Sequence, residues 1–277
     1  YARGFGMADK ERGIRMEPNM LMRFASVSKL ITAVGIMKLQ EMKKLKLNEK
    51  VFGEKGILRD TVYNNSIKDK RYYDITVEQL LRHQAGFNNY AGDPVSSTRY
   101  IMMQNHLKTP PDHPTLLKIL LKRHLGYTPG EGKCYSNLGY MILSMIIEKK
   151  SGMKYENFMQ KYVLHPAGCY DMHIAGTYLK DRRPNETKYY MHGGSIPVYE
   201  YNNSGRLVEK CYGHTDLPRL SGAGAWCGST AELSRFIASI DGLPHVKDIL
   251  SKKSIEFMTR EQADHQYSIG WNYTPKS

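Results

Sequence analysis

The segments of this chain that read as β-strand lie near its two ends, and most of what lies between reads as capped helix. Residues 3–7 and 266–273 are short, glycine-containing and aromatic. Residues 189–201 hold one or two further strands, broken by Gly193-Gly194 and Pro197. Strand candidates that bracket a helical middle point to an α+β domain with a large helical insertion.

The helix signals between them are well marked. Over 26–42, Val27, Leu30, Ile31, Val34 and Met37 recur at helical spacing, an amphipathic pattern. Thr76 and Gln79 form a capping box ahead of Val77, Leu80 and Leu81. Thr115, after Pro114, opens a helix over 116–124. Asn137 leads into 138–150, where Met141, Ile142, Met145 and Ile146 share a stripe that stops at Ser151-Gly152. Ser229 and Glu232 repeat the capping box before Leu233, Phe236, Ile237 and Ile240. Turn formers fill 88–94 and 109–114, and no internal repeat or low-complexity tract is present.

Composition narrows the function classes. With 277 residues, 41% hydrophobic and 24% charged, the chain is of ordinary globular make-up and long enough for a sizeable core. Its net charge of +13 invites an anionic partner, yet the lysines over 38–50 are interrupted by Glu41 and Glu49, and no basic run alternates with aromatics. Nucleic acid is therefore not an expected partner. A membrane span needs about 18–20 apolar residues, whereas the run over 141–147 is short and contains Ser144. Four widely spaced cysteines without a Cys-x-x-Cys pair, and ten histidines without His-Glu-x-x-His or His-x-His, give no metal site and no disulfide framework. The chain opens on Tyr1 with no signal-like segment, so its numbering is expected to begin inside a longer precursor.

The sharpest chemical feature is Phe24-Ala25-Ser26-Val27-Ser28-Lys29. Ser26 begins an apolar-periodic helix, and Lys29 follows one turn later on the same face. A hydroxyl there meets the positive end of the helix, where a developing oxyanion can be held, and a lysine one turn on can take or relay its proton. The bland alternative is an N-cap serine with an exposed lysine. Spacing alone does not separate the two, because Ser151 and Lys154 repeat it at the end of a helix.

The second feature is Tyr135-Ser136-Asn137, placed between the Pro129-Gly130 turn and a strong helix. Tyr-x-Asn also occurs at Tyr63, Tyr155 and Tyr201, so context must again decide. Ionising a tyrosine of pKa near 10 at pH 7 would cost about 4 kcal/mol unaided. A neighbouring ammonium such as Lys29 can offset much of that.

At these residues the chain resembles the serine β-lactamase and penicillin-binding protein superfamily, in particular its class C-like branch with D-alanyl-D-alanine carboxypeptidases and esterases. Leu80-Leu81-Arg82-His83-Gln84-Ala85-Gly86-Phe87 is similar to that family's Leu-Leu-x-His-x-Ser-Gly-Leu segment. Pro129-Gly130 with Tyr135-Ser136-Asn137-Leu138-Gly139-Tyr140 is similar to its Pro-Gly and Tyr-Ser-Asn-x-Gly-Tyr segments. Ser221-Gly222-Ala223-Gly224 resembles its glycine-rich turn, and Tyr267-Ser268-Ile269-Gly270-Trp271 its Tyr-Gly-Leu-Gly-Trp strand. The matches run in family order over nearly the whole chain.

The resemblance implies a β-lactamase/transpeptidase-like fold, an antiparallel sheet flanked by helices with a large, mostly helical subdomain. In one catalytic domain over 1–277, residues 1–50 and 215–277 would form the α/β part and 51–214 the helical part. It implies Ser26 as the acylated nucleophile, Lys29 as its proton partner, Tyr135 as general base or relay, and Asn137 as a donor to the substrate amide, with the Ser26 amide as one oxyanion donor. Neither metal nor cofactor is implied. The partner would be a small molecule or peptide: a β-lactam, a D-Ala-D-Ala peptide or a small ester. A non-catalytic or slowly deacylating wall-peptide or β-lactam sensor is the alternative, and placement in the bacterial cell envelope, outside the cytoplasm, follows from the same likeness.

The family's third motif, Lys-Thr-Gly or His-x-Gly on a late strand, has no counterpart in order. His192-Gly193-Gly194 has the letters but precedes the glycine-rich turn, where a turn beside a strand is expected. Lys276-Ser277 falls too close to Trp271. The chain given is thus expected to stop before that motif and its strand.

Overall fold

Gly6 has φ +75°, a backbone conformation that ends an extended run, so the first strand begins at Met7 rather than at residue 3 as expected. A computed structural model describes residues 3–90, 92–194, 196–259 and 269–270. In it β1 (Met7–Asp9) pairs antiparallel with β2 (Ile14–Arg15) as a small ribbon. β3 (Leu21–Arg23), β4 (His173–Ile174) and β7 (Trp226–Ser229) form the antiparallel sheet β3-β7-β4. Leu21 faces Ser229 and Arg23 faces Cys227 in its register, and Cys227 also pairs with His173 on the other side. Early and late segments of the chain therefore share one sheet, with β7 in its centre. The strand expected over 266–273 falls outside the described residues apart from Ile269 and Gly270.

Among the described residues of 189–201, only β5 (Pro197–Tyr199) is strand, paired with β6 (Leu207–Glu209) in an outlying hairpin. Gly193 and Gly194, with φ of +78° and +95°, turn the chain ahead of it, and His192-Gly193-Gly194 is exposed there.

The long helix expected over 26–42 starts two residues later. Ala25–Val27 is a 3-10 turn and the α-helix proper is Ser28–Glu41. It is also not amphipathic in use: Ser28 to Met37 are buried without interruption. A helix covered all round belongs to the centre of a domain. Its polar positions survive burial because each has a partner, as with Thr32, whose hydroxyl donates to the Gly222 carbonyl at 2.7 Å. Gly35 permits close approach of the Tyr155–Met159 helix; a Cβ there would lie 2.4 Å from Met159 Sδ.

The second central helix is Asn137–Ser151, buried from Leu138 to Ile147. Ser136 caps it by accepting from the Gly139 amide at 3.1 Å, and Gly152 ends it at φ +72°. Burying each of its apolar side chains is worth about 1.5–3 kcal/mol. Both capping boxes are present, at Thr76/Gln79 and Ser229/Glu232. The helix expected over 116–124 is His113–Leu120, because Asp112 rather than Thr115 is its cap. The four cysteines are free thiols.

Candidate active site

The sheet delivers Ser26 to the surface. After β3, the Phe24 amide donates to the Trp226 carbonyl at 2.9 Å, which keeps the chain on β7 for one residue beyond the strand. Ala25 then takes φ +47°, unusual for a residue with a side chain, and the chain turns into the helix. Ser28, fully buried, accepts from the Trp226 amide at 3.1 Å and staples the helix start to the sheet. Ser26 is left exposed between these fixed points. It is not an N-cap, since no side-chain cap bond forms at this helix start.

Lys29 lies one turn on, only 4% exposed. Its ammonium donates to the Asn137 Oδ1 and to the Ala223 carbonyl, each at 2.6 Å, and more weakly to Ser26 Oγ at 3.4 Å. It also sits 4.6 Å from the ring centre of Tyr135 and 5.6 Å from that of Tyr140. Burial pushes its pKa down to about 7, and the charge of Asp93 pulls the other way.

The Tyr135 hydroxyl donates to Ser26 Oγ at 2.5 Å. The structure thus brings together all four residues singled out in the sequence, Ser26, Lys29, Tyr135 and Asn137. The other Ser-x-x-Lys pair is not built alike, because Ser151 is the last residue of a helix that stops at Gly152.

His83 holds the Tyr135 loop. Its Nδ1 accepts from the Ser136 amide at 3.1 Å, so the neutral ring carries its proton on Nε2. The imidazole lies 4.7 Å from the Tyr135 ring, and its own carbonyl accepts from the Cys134 amide at 2.9 Å. Burial, with Lys29 nearby, pushes its pKa down to about 3.

One residue of the cluster was not foreseen. Asp93 accepts from Asn137 Nδ2, from Ser96 Oγ at 3.1 Å and from the Val95 amide at 2.9 Å. Asn137 is therefore held at both ends, its oxygen by Lys29 and its nitrogen by Asp93. Reversing the amide would set its NH2 against an ammonium and its oxygen against a carboxylate. Nothing in the sequence but an Asp within the turn-rich loop 88–94 signalled this contact.

Trp226 and Cys227 are fully buried beside the site. The Trp226 indole donates to the Tyr155 hydroxyl at 2.9 Å. Among the described residues, His173, Glu186 and Cys227 have metal-ligand spacing, with ligand atoms within 4.8 Å of one another. Glu186 already accepts from the Tyr189 hydroxyl at 2.9 Å and faces Arg23 Nε at 3.9 Å. A guanidinium paired with Glu186 in that place opposes a second cation.

Comparison with known proteins adds the kinship. The Beta-lactamase family model matches residues 1–277. Penicillin-binding protein 4* of Bacillus subtilis (strain 168) is 29% identical over 265 residues, which cover 92% of this chain and 52% of that protein. The chain thus spans about half the length of this curated relative. Among solved structures, the D-amino acid amidase from Ochrobactrum anthropi SV3 is similar at a TM-score of 0.67 and 21% identity, covering 92% of this chain and 64% of that one. EstCE1, described as a hydrolase with promiscuous acyltransferase activity, is similar at a TM-score of 0.69 and 18% identity, with coverages of 98% and 73%. These two likenesses are of fold.

Proposed function

Because this chain belongs to the Beta-lactamase family, we propose that it is a serine hydrolase that works through an acyl-enzyme on Ser26. The observation that carries the reading is the convergence of Lys29 Nζ and the Tyr135 hydroxyl on one exposed serine oxygen, at 3.4 and 2.5 Å.

The bonds of Lys29 suggest which proton moves. Two of its three N–H groups are committed at 2.6 Å to Asn137 Oδ1 and Ala223 O. The third points to Ser26 by the longest contact, so deprotonation there leaves the lone pair directed at the hydroxyl. With a pKa of about 7, a fraction of Lys29 is neutral at physiological pH and can accept that proton directly or through the Tyr135 oxygen. Ser26 Oγ then bonds to the substrate carbonyl carbon, and the bond to the leaving group breaks as the proton passes to it. Water repeats the sequence on the ester and frees Ser26. The Ser26 amide serves as one oxyanion donor. Tyr135 acts as base or relay, and Asn137 positions Lys29 while offering an N–H to the substrate amide.

The substrate class proposed is an acyl compound: a β-lactam, a D-Ala-D-Ala peptide or a small ester. The curated relative is a penicillin-binding protein, and the fold neighbours include an amidase. On the same kinship we place the chain outside the bacterial cytoplasm, in the cell envelope; among the described residues no helix is long and apolar enough to cross a membrane.

Incubation with fluorescent penicillin or a fluorophosphonate tests the reading. Wild type should be labelled and Ser26→Ala should not; labelling that persists in the variant removes Ser26 as nucleophile. Rapid loss of the penicillin label supports hydrolysis, whereas a lasting penicillin adduct transfers the reading to a sensor of wall peptide or β-lactam.

A further inference from the structure

Next to Asp93 the surface opens into a cavity of about 500 Å3 that has no part in the reaction described above. One wall is Ser96, Ser97 and Arg99; the other is β5, with Tyr199, and His214. Ser96 belongs to both places, since its hydroxyl also donates to the Asp93 carboxylate that holds Asn137.

Arg99 is the unusual member. Its guanidinium carbon lies 4.4 Å from the centre of the Tyr199 ring, a cation–π contact. Its Nε is closed to solvent and has no hydrogen-bond partner. Among the described residues Arg99 forms neither an ion pair nor a side-chain hydrogen bond, and no described lining residue of the cavity is acidic. Asp93, which Ser96 ties to the edge of the cavity, is already engaged by three donors. A guanidinium held against a ring keeps N–H groups for an acceptor, and a carboxylate matches two of them with its two oxygens.

We propose that this cavity is a subsite for a carboxylate carried by the substrate, bound by Arg99 with Ser96, Ser97 and His214 around it. The proposal rests on the acyl-enzyme reading for the position of the reacting carbonyl. It narrows the substrate to acyl compounds whose negative group lies beyond the Asn137–Asp93 edge of the site. Tyr199, 53% exposed, leaves the cavity open for entry from solvent.

The test uses 4-nitrophenyl esters whose acyl chains end in a carboxylate, each paired with a methyl-ended ester of equal length. Wild type should favour the anionic ester at one or more lengths. Arg99→Gln should lose that preference by about tenfold or more in kcat/KM, the scale of a charge-assisted hydrogen bond, while hydrolysing the neutral ester at the wild-type rate. Arg99→Lys, which keeps the charge but not the fork, should fall between them. The proposal is overturned if wild type shows no preference at any length, or if Arg99→Gln slows both esters equally. Ser26→Ala separates the two readings: turnover that survives in it defeats Ser26 as nucleophile, while the anionic-to-neutral ratio still reports on Arg99.

Discussion

The Tyr135 hydroxyl and Ser26 Oγ, 109 residues apart in sequence, are 2.5 Å apart in space. In the mechanism we propose, this contact carries a proton as well as holding position. Tyr135→Phe removes the oxygen and keeps the ring against His83. Positioned proton transfer is worth about 10²–10⁴ in rate, and the variant is expected to lose that much of kcat in ester hydrolysis. Intact folding, checked by circular dichroism, with an unchanged rate would show that the phenol takes no part.

Asp93 gives a prediction in pH rather than in rate. Around Lys29 stand Asp93, Asn137, Tyr135, Tyr140, Ser26 and the Ala223 carbonyl, with His83 kept neutral by burial. Of these, Asp93 is the charge that favours the ammonium. Asp93→Asn keeps an acceptor for Asn137 and removes the charge, so the Lys29 pKa should fall below its value of about 7. If neutral Lys29 accepts the serine proton, the acid limb of kcat/KM against pH moves to lower pH. A limb that stays in place would separate Asp93 from Lys29.

The motif residues of this site were legible because each is tied to a helix start: Ser26 and Lys29 share one turn, and Asn137 begins the next central helix. What escaped was set by tertiary contact. Asp93 sits in a loop whose turn formers conceal it, and its partners Val95 and Ser96 are local while Asn137 is 44 residues away. The Ala223 carbonyl has no side-chain signature at all. Ser28 looked like part of a reactive string, yet its hydroxyl ties the helix to Trp226. The helix over 28–41 looked amphipathic because Ser28, Lys29 and Thr32 are polar, and they are buried only because Trp226, Ala223, Gly222 and Asn137 meet them. In the fold, the strand read near the first end became β1 of the small ribbon, whereas β3, β4 and β7 of the larger sheet have only two to four residues each and show no alternation to read.

Gly222 links packing to chemistry. A Cβ there would lie 2.8 Å from Thr32 Oγ1 and 3.0 Å from the Tyr140 carbonyl, neither of which can swing away freely. Gly222→Ala must push the 221–223 turn outward, and with it the Ala223 carbonyl that holds Lys29 at 2.6 Å. Overpacking of this kind costs about 1–3 kcal/mol. Urea unfolding should show that loss, and ester hydrolysis should slow in the folded variant; stability and rate equal to wild type would contradict the packing described.

Lys29 also makes stability depend on pH. Its pKa is about 7 in the folded chain against 10.5 for the free side chain. Below pH 7 it is charged in both states and burial of that charge weighs fully against the fold. Between pH 7 and 10.5 the unfolded chain binds the extra proton, so the free energy of unfolding rises with pH across that window. Lys29→Met removes the titration. Relative to this variant, wild type should gain stability steadily from pH 7 to 9 in urea unfolding, a range below the region where tyrosines ionise. Parallel profiles for the two proteins would mean that Lys29 keeps its proton throughout, and the acceptor of the Ser26 proton would then have to be sought elsewhere.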